Sequence, residues 1–446
     1  MLKKSILFFS MFILLSSCMK KLMPTYPISK NNSSINSSSG NNEFEEEVPN
    51  WFLEDEEQQR PKLLDSQVLF HSSVDKSGNP TSIYRIPAIT VSEKNTIIAV
   101  ADSRKGSYED VGFNNSKDID IVVRRSTDGG HTFGGEIIIP PKSISKDDAH
   151  GDSLFFSCKN GDLVVLCSAG GGYAQQTKKY SKVMISRSTD DGVTWSEWKD
   201  ADGDVNNFGS GLLQPYKRGF AASGTGVRLE DGTLMGAMLV NSGTDATKAA
   251  AAVIVSMDNG YTWHVRSIAK RKSGTQDEPK VVAQLNDGRI LMSVRSGPWN
   301  ASSKKRIWFR SQSGIGSNWD EITASVKGNF NDAACNAEGI MYSSTKYGYE
   351  KNRLIHVALN SDNGRKNLTA FISYDEGKSW EVGRVLNSSK AGYTSLARLK
   401  DGTIVVLSEE GNGTNPNKEH YDIVFRRFNL AWLTDGKDVY NPPNKY

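Results

Sequence analysis

The chain has 446 residues, of which 37% are hydrophobic and 24% charged, and its formal net charge at pH 7 is +3. These values are ordinary for a globular protein, and so small a net charge argues against a nucleic-acid-binding surface. The 40 glycines and the evenly spread aromatic residues favour an all-β fold with many tight turns.

The first eighteen residues have the organisation of a secretory signal. Lys3 and Lys4 precede an apolar run over residues 6–15, and two serines and Cys18 follow. The Leu-Ser-Ser-Cys ending resembles a bacterial lipobox, which implies that Cys18 becomes the lipidated first residue of an exported protein. The alternative is a plain signal peptide with an accidental cysteine. We therefore expect a protein anchored to the cell envelope or cell surface by acyl chains, without a spanning helix.

Residues 19–62 do not have the composition of a folded segment. Serine and asparagine dominate residues 31–42, and an acidic stretch follows over residues 43–57. Because so polar a segment cannot offset the entropy of ordering, we predict a disordered tether that leads into a folded domain over residues 63–446. The remaining cysteines, Cys158, Cys167 and Cys335, have no spacing that indicates a disulfide framework.

A repeated box is the strongest organisational signal in the folded part. Four segments match Ser-x-Asp-x-Gly-x-(Thr/Ser)-(Trp/Phe), and a decayed fifth copy keeps only the serine and the tryptophan; they span residues 126–133, 188–195, 256–263, 373–380 and, for the decayed copy, 311–319. Aspartate and serine side chains hydrogen bond tight turns, and glycine supports positive φ. The boxes are therefore predicted to brace hairpins, and their carboxylates Asp128, Asp190, Asp258 and Asp375 are not expected to be catalytic.

A second series of turn signals alternates with the boxes. It comprises Lys94-Asn95, Asn160-Gly161, Asp231-Gly232, Asp287-Gly288, Lys351-Asn352 and Asp401-Gly402, each followed by an apolar strand. Asn-Gly and Asp-Gly are the favoured two-residue hairpin turns. Six hairpins and five boxes, about one of each per 60 residues, predict an all-β, six-bladed β-propeller with four antiparallel strands in each blade.

The segment Tyr84-Arg85-Ile86-Pro87 opens the first predicted blade. It resembles the sialidases of glycoside hydrolase family 33, and the resemblance extends through the whole predicted propeller. It implies that Arg85 is the first of three arginines that bind the carboxylate of sialic acid, with Arg295 as the second and Arg353 as the third. Guanidinium groups stay charged and form forked hydrogen bonds to carboxylates, which suits a sugar that carries one on its anomeric carbon.

The same resemblance implies a catalytic pair. Tyr393 matches the tyrosine nucleophile of the family, and Glu278 matches the glutamate that takes its proton. A carboxylate nucleophile would be repelled by the substrate carboxylate, whereas a phenol beside a base avoids that repulsion; tyrosine sialidases are a known exception to the two-carboxylate rule. The general acid is expected on the loop after Arg104, where Asp110 is preferred and the adjacent Glu109 remains an alternative.

Three further positions match supporting residues of the family. Arg104 and Asp152 are expected to contact ring substituents of the sugar. Glu409 is expected to orient the first arginine, although Glu410 competes with it for that role. Since the six histidines are scattered and no glycine-rich phosphate loop occurs, no metal or nucleotide cofactor is predicted.

The predicted function is a retaining exo-α-sialidase that acts on sialylated glycans through a tyrosyl-sugar intermediate. A trans-sialidase or an intramolecular trans-sialidase would use the same residues. A lipoprotein propeller that only binds glycans or proteins is the non-enzymatic alternative, because boxes of this kind also occur in binding propellers. No nucleic-acid partner is expected, the lipid anchor is the expected membrane contact, and nothing in the sequence demands more than a monomer.

Overall fold

The computed structural model describes residues 58–64, 66–113, 118–140, 149–174, 180–243, 245–297, 305–411 and 420–443. Cys18, the predicted signal and most of the predicted tether lie outside these residues. Within them the fold is all-β, as predicted, with one short α-helix, α1 (Leu430–Leu433), and four 3-10 turns, at Gly211–Leu213, Ala246–Lys248, Thr323–Ser325 and Thr345–Tyr347. None of the helices in the described ranges has the length and hydropathy of a membrane span.

The strands form antiparallel sets that follow the chain order. Set 1 holds β2 (Ser73–Val74), β3 (Pro80–Val91), β4 (Ile97–Lys105), β5 (Ile119–Ser126) and β6 (Ile137–Ile138). Set 2 holds β7 (Gly151–Ser157), β8 (Leu163–Gly170), β9 (Ser181–Ser188) and β10 (Lys199–Asp200), with β13 (Gly224–Thr225) parallel to β7.

Sets 3 and 4 repeat the arrangement. Set 3 holds β12 (Arg218–Ala221), β15 (Leu234–Asn241), β16 (Ala249–Ser256) and β17 (Thr262–Ala269), with β14 (Val227–Arg228) on β15 and β11 (Asp202–Gly203) parallel to β17. Set 4 holds β18 (Pro279–Gln284), β19 (Arg289–Val294), β20 (Ile307–Gly314) and β21 (Trp319–Glu321).

The remaining strands form one seven-stranded sheet that contains two sets. They are β22 (Glu338–Ser343), β23 (Arg353–Leu359), β24 (Lys366–Ser373), β25 (Glu381–Arg398), β26 (Ile404–Gly411), β27 (Tyr421–Phe428) and β1 (Gln67–Phe70). The long strand β25 joins the two, because residues 381–390 pair with β24 and residues 391–398 pair with β26. Set 5 is therefore β22 to the first part of β25, and set 6 is the second part of β25, β26, β27 and β1.

The last set is completed by residues from early in the chain. Strand β1 runs antiparallel to β27, and Leu63 forms a further bridge with Phe428. The backbone N–H of Lys62 donates to Asn429 Oδ1 at 3.0 Å, and Asn429 Nδ2 donates to the carbonyl of Arg60 at 2.7 Å. Residues 60–62, which the composition places in the tether, are thus hydrogen-bonded to the folded domain.

Hydrophobic clusters lie between consecutive sets and connect them in a closed order. Clusters between sets 1 and 2, 2 and 3, 3 and 4, 4 and 5, and 5 and 6 are built from the inward residues of both members. A further cluster joins set 6 back to set 1, for example through Phe425 and Ile97. Cys158, Cys167 and Cys335 are buried in three of these clusters as free thiols.

The four intact boxes brace hairpins, as predicted. In the first box, Ser126 Oγ donates to Asp128 Oδ1 at 2.7 Å and accepts from the N–H of Gly130 at 2.8 Å, while Asp128 also accepts from the N–H and hydroxyl of Thr132. The other three repeat this pattern around Asp190, Asp258 and Asp375. Each carboxylate is consumed by its own turn.

The hairpin turns differ from the two-residue prediction in one respect. At Asp401-Gly402, the N–H of Leu399 donates to the carbonyl of Thr403, and the N–H of Gly402 donates to that of Leu399. The loop is therefore three residues long with a left-handed third residue, Gly402 at φ 89°. Four of the other predicted turns have the same bonds. The prediction at Lys351-Asn352 was wrong, because residues 344–352 form a longer loop with a 3-10 turn between β22 and β23.

Candidate functional site

A cavity of about 830 Å³ lies where the hairpins of the six sets meet. It is at the hairpin ends opposite to the Asp-Gly and Asn-Gly turns. It collects charged and tyrosine side chains from every set together with an apolar wall. The charged and phenolic members are Arg85, Asp110, Asp152, Tyr173, Arg218, Asp277, Glu278, Arg295, Arg365 and Tyr393, and the apolar members include Val111, Phe113, Phe220 and Leu239.

Tyr393, Glu278 and Arg295 form a hydrogen-bonded triangle in this cavity. The hydroxyl of Tyr393 donates to Glu278 Oε1 at 2.5 Å, and Arg295 Nη1 donates to that carboxylate oxygen at 3.1 Å and to the phenol oxygen at 3.0 Å. Local pairing explains part of the geometry, since the N–H of Arg295 donates to the carbonyl of Glu278 and extends the β18–β19 ladder. Tyr393 comes from β25, 98 residues after Arg295 and 115 residues after Glu278.

Burial controls the protonation of this triangle. It raises the pKa of Glu278, an effect that the Arg295 guanidinium only partly offsets. Burial and the Glu278 carboxylate together raise the pKa of Tyr393 well above that of a free phenol. The phenol is therefore neutral at physiological pH, and the carboxylate 2.5 Å away is placed to accept its proton.

Arg85 is fixed by Glu409, as predicted. Glu409 Oε1 accepts from Arg85 Nε at 2.6 Å and from the N–H of Ile86 at 2.9 Å, and its other oxygen accepts from the N–H of Tyr393 at 3.0 Å. A β-bulge makes this possible, because the β3 register shifts after Arg85 and Ile86 adopts φ 58°. One carboxylate thus orients the arginine and the tyrosine backbone together.

The competing carboxylate points elsewhere. Glu410 forms an ion pair with Arg426 and does not contact Arg85.

Gly392 shows how closely Glu409 approaches β25, because a Cβ at this glycine would lie 2.2 Å from Glu409 Oε2. A larger residue before Tyr393 would displace the carboxylate.

The prediction that Arg353 joins the other arginines was wrong. Arg353 begins β23 beside the 344–352 loop, at the turn end of its hairpin, and is 2% exposed. Its guanidinium forms a forked pair with Asp438, both contacts being 2.7 Å, and a third bond to Ser343 Oγ. It is held in a structural ion pair on the side away from the cavity.

Arg365 takes the third position. It lies in the loop after β23, at the other end of the hairpin, and lines the cavity with its Cζ 5.5 Å from the centre of the Tyr393 ring. Arg85 Cζ lies 5.8 Å from the same ring centre, and Arg295 donates to its hydroxyl. Three guanidinium groups therefore surround one phenol.

Asp110, rather than Glu109, lines the cavity. Its carboxylate lies 2.8 Å from Arg104 Nη1, and 58% of its side chain is exposed to the open space. Desolvation raises the pKa of Asp110, but the Arg104 and Arg85 guanidinium groups outweigh it, so the pKa lies below the usual range. In the free protein this carboxyl is therefore ionised at neutral pH.

Arg104 stands behind Asp110 and is not a lining residue. It is 1% exposed and donates to Asp102 Oδ2 at 3.2 Å as well as to Asp110. Arg104 therefore positions Asp110, and the prediction that it contacts the sugar directly was wrong. Asp152 lines the cavity at φ 56°, and its N–H donates to Asp102 Oδ1. Burial raises the pKa of Asp102 to about 7 and that of Asp152 well above its ordinary value, so this pair retains a proton near neutral pH.

Sequence reasoning missed one side of the cavity. Arg218 donates to the carbonyl of Tyr173 at 2.8 Å and lies over its ring at 4.4 Å, with Phe220 packed edge-on against that ring. No local motif marks these positions. No cluster of three or more potential metal-ligating side chains is found among the described residues.

The chain is similar in sequence and in fold to known proteins. The family profile described as "BNR repeat-like domain" matches residues 96–406. A sialidase of Micromonospora viridifaciens is 28% identical over 370 residues, covering 78% of this chain and 52% of the relative, and a sialidase of Bacteroides fragilis is 25% identical over 366 residues, covering 76% and 61%. The chain thus spans just over half the length of these relatives. The solved Hadza microbial sialidase Hz136 aligns with a TM-score of 0.63 at 23% identity, covering 79% of this chain and 66% of that one.

Proposed function

We propose a function for this chain, which belongs to the BNR repeat-like domain family because the profile of that family matches residues 96–406. The proposed function is that of a retaining exo-α-sialidase, which hydrolyses terminal α-linked sialic acid from glycoconjugates. The observation that carries the proposal is the contact of 2.5 Å between Tyr393 and Glu278, beside Arg295 and close to two more arginines. A propeller that only binds glycans has no need of a phenol paired with a buried base.

The arginines supply binding and orientation. Arg85, Arg295 and Arg365 would hold the carboxylate of the sugar by charge-assisted hydrogen bonds, which places the anomeric carbon next to the Tyr393 hydroxyl. Their positive charge also favours a substrate that carries a carboxylate on the reacting carbon. A neutral phenol approaches such a carbon without the repulsion that an aspartate or glutamate would meet.

Two proton transfers accompany each half of the reaction. As the Tyr393 oxygen bonds to the anomeric carbon, its proton passes to Glu278, and the bond to the leaving oxygen breaks while Asp110 protonates that oxygen. In the second half, Asp110 takes a proton from water as the water oxygen bonds to the anomeric carbon. The bond from that carbon to the Tyr393 oxygen breaks, and Glu278 returns the proton to the departing tyrosine oxygen. Two displacements at one carbon retain its configuration.

Substrate binding would prepare Asp110 for its acid role. Of the guanidinium groups that lower its pKa, Arg104 keeps its contact with Asp110, whereas Arg85 and Arg365 become partly neutralised when a substrate carboxylate pairs with them. The pKa of Asp110 then rises, so that a larger fraction is protonated in the complex than in the free protein. Catalysis is accordingly expected to favour mildly acidic pH.

Asp110→Asn should lower turnover of sialyl-lactose by roughly 10²-fold, because the amide cannot protonate the departing sugar oxygen. An aryl sialoside should be much less affected, since a phenolate leaves without that proton. Initial rates on the two substrates measure the difference. Glu109→Gln is the matched control and should leave both rates unchanged; the reverse pattern between these variants would move the acid to Glu109.

The architecture and location complete the proposal. The closed order of hydrophobic clusters through six sets supports a six-bladed propeller.

We propose that residues 1–18 are a lipoprotein signal, that Cys18 carries the lipid and that the segment up to about residue 59 tethers a monomeric propeller to the cell envelope. Cys18→Ser should move the protein from the membrane fraction to the soluble fraction; unchanged sedimentation would refute the anchor.

The proposed activity is tested by mass analysis of the products from sialyl-lactose, with and without added acceptor. Free sialic acid as the main product supports the hydrolase. A sialylated acceptor in its place would favour the trans-sialidase alternative, and an anhydro sugar would favour the intramolecular one. Absence of any product, together with binding of the intact glycan, would reduce the protein to a binding propeller.

A further inference from the structure

A buried loop links Arg295 and Arg365, two of the three arginines around Tyr393. Residues 330–337, here called the 330–337 loop, run between β21 and β22, and Asp332 and Ala334 are each 1% exposed. Two consecutive residues in it, Ala333 at φ 42° and Ala334 at φ 49°, adopt the left-handed conformation that side chains disfavour. Such strain persists only where the surroundings impose it, and it is concentrated at functional sites.

Asp332 makes the connection to Arg295. Its Oδ2 accepts from the N–H of Ser296 at 2.8 Å, which fixes the backbone directly after Arg295. Its Oδ1 accepts from the N–H of Cys335 at 3.1 Å and so closes the strained turn around the two alanines. The carboxylate therefore ties the 330–337 loop to the end of β19.

Arg306 holds Asp332 and the far side of the loop. Its side chain is fully buried, and its Nη1 lies 3.4 Å from Asp332 Oδ1. The same guanidinium donates to the carbonyls of Cys335 and Ala337 and to Ser293 Oγ, so all three of its nitrogens are engaged. The loop is thereby held in one conformation.

The strained turn reaches the other arginine through its backbone. The carbonyl of Ala334 accepts from Arg365 Nη2 at 3.4 Å, and the neighbouring Ala333 and Cys335 lie in the same hydrophobic cluster as Tyr393. Asp332 therefore acts on Arg295 through Ser296 and on Arg365 through Ala334. Neither Asp332 nor Arg306 lines the cavity.

We propose that Asp332, clamped by Arg306, is a positioning residue that sets the spacing of Arg295 and Arg365 and thereby the affinity for the carboxylate of the substrate. This inference rests on the proposed function. The ion pair between Asp332 and Arg306 and the strained turn at Ala333 and Ala334 would act on the substrate only through Arg295 and Arg365.

Asp332→Asn tests the proposal, because an amide has one acceptor oxygen and cannot serve both Ser296 and Cys335. We expect KM for an aryl sialoside, and Kd for the unsaturated 2,3-dehydro analogue of sialic acid, to rise roughly tenfold or more with a much smaller change in kcat. Asp438→Asn is the matched control, since it breaks the buried pair with Arg353 away from the cavity. It should lower Tm while KM and Kd stay at the wild-type values.

Two outcomes separate this inference from the proposed function. An active wild-type protein with unchanged KM and Kd in Asp332→Asn overturns the positioning role alone. A wild-type protein that neither cleaves the sialoside nor binds the analogue overturns the proposed function and this inference together. If Asp332→Asn does not fold, Ser293→Ala loosens Arg306 more gently, and a smaller rise in KM and Kd is expected; unchanged values there also refute the role.

Discussion

Replacing Tyr393 by phenylalanine is expected to lower kcat for release of sialic acid by roughly 10³-fold or more. Phenylalanine has no oxygen to bond to the anomeric carbon, and Glu278 and Arg295 lose their shared partner. The ring remains in its cluster, so the fold should persist. The measurement is kcat with an aryl sialoside, together with Tm to show that the variant is folded.

Tyr342→Phe provides the matched control for this experiment. Tyr342 is also buried and donates its hydroxyl to the carbonyl of Gly402 at 2.8 Å, on the turn side of the fold. The same oxygen is removed, a hydrogen bond is lost, and turnover should be unchanged. Near-wild-type turnover in Tyr393→Phe would show that the phenol is not the nucleophile.

The second large effect separates the two candidate arginines. Arg365→Met should reduce kcat/KM by roughly 10³-fold, because one of the three charges that hold the substrate carboxylate is lost. Arg353→Met should instead remove the forked partner of the buried Asp438, which keeps only the longer contact with Lys351 at 3.3 Å, and destabilise the fold by about 3 kcal/mol. Its kcat/KM per folded molecule should not change.

Steady-state kinetics and denaturant unfolding of both variants decide between these expectations. Folded fraction must be measured for Arg353→Met so that lost protein is not mistaken for lost catalysis. A drop in kcat/KM for Arg353→Met with full activity in Arg365→Met would restore the assignment made from the local motif.

The fold was accessible from the sequence because its signals are local and repeated. Each box closes a turn with side chains four residues apart, and each Asp-Gly or Asn-Gly turn lies between two apolar strands. Such patterns predict hairpins and their number. They do not reveal that β25 continues through two sets or that the 344–352 loop replaces a short turn, since both depend on contacts beyond one hairpin.

The site was accessible only in part, and Arg353 shows why. Arg85, Glu278, Tyr393 and Glu409 stand in distinctive local motifs, whereas Arg353 and Arg365, the two candidate arginines of set 5, do not. The end of the hairpin at which each arginine lies distinguishes the two candidates. Arg353 comes one residue after a predicted turn, while Arg295 and Arg365 follow the second strand of a hairpin and lie at its opposite end. The partners of Asp332 are nonlocal, and no sequence pattern indicates them.

The bond from Lys62 to Asn429 joins residues 367 positions apart. Set 6 therefore gains the strand β1 only when it pairs with β27, so this set cannot be completed before nearly all of the domain has been synthesised. Contacts of such long range fold slowly. Once formed, the hydrogen bonds between β1 and β27 and those of Asn429 would bear a force applied to the chain before residue 60, whereas other residues line the cavity that contains Tyr393.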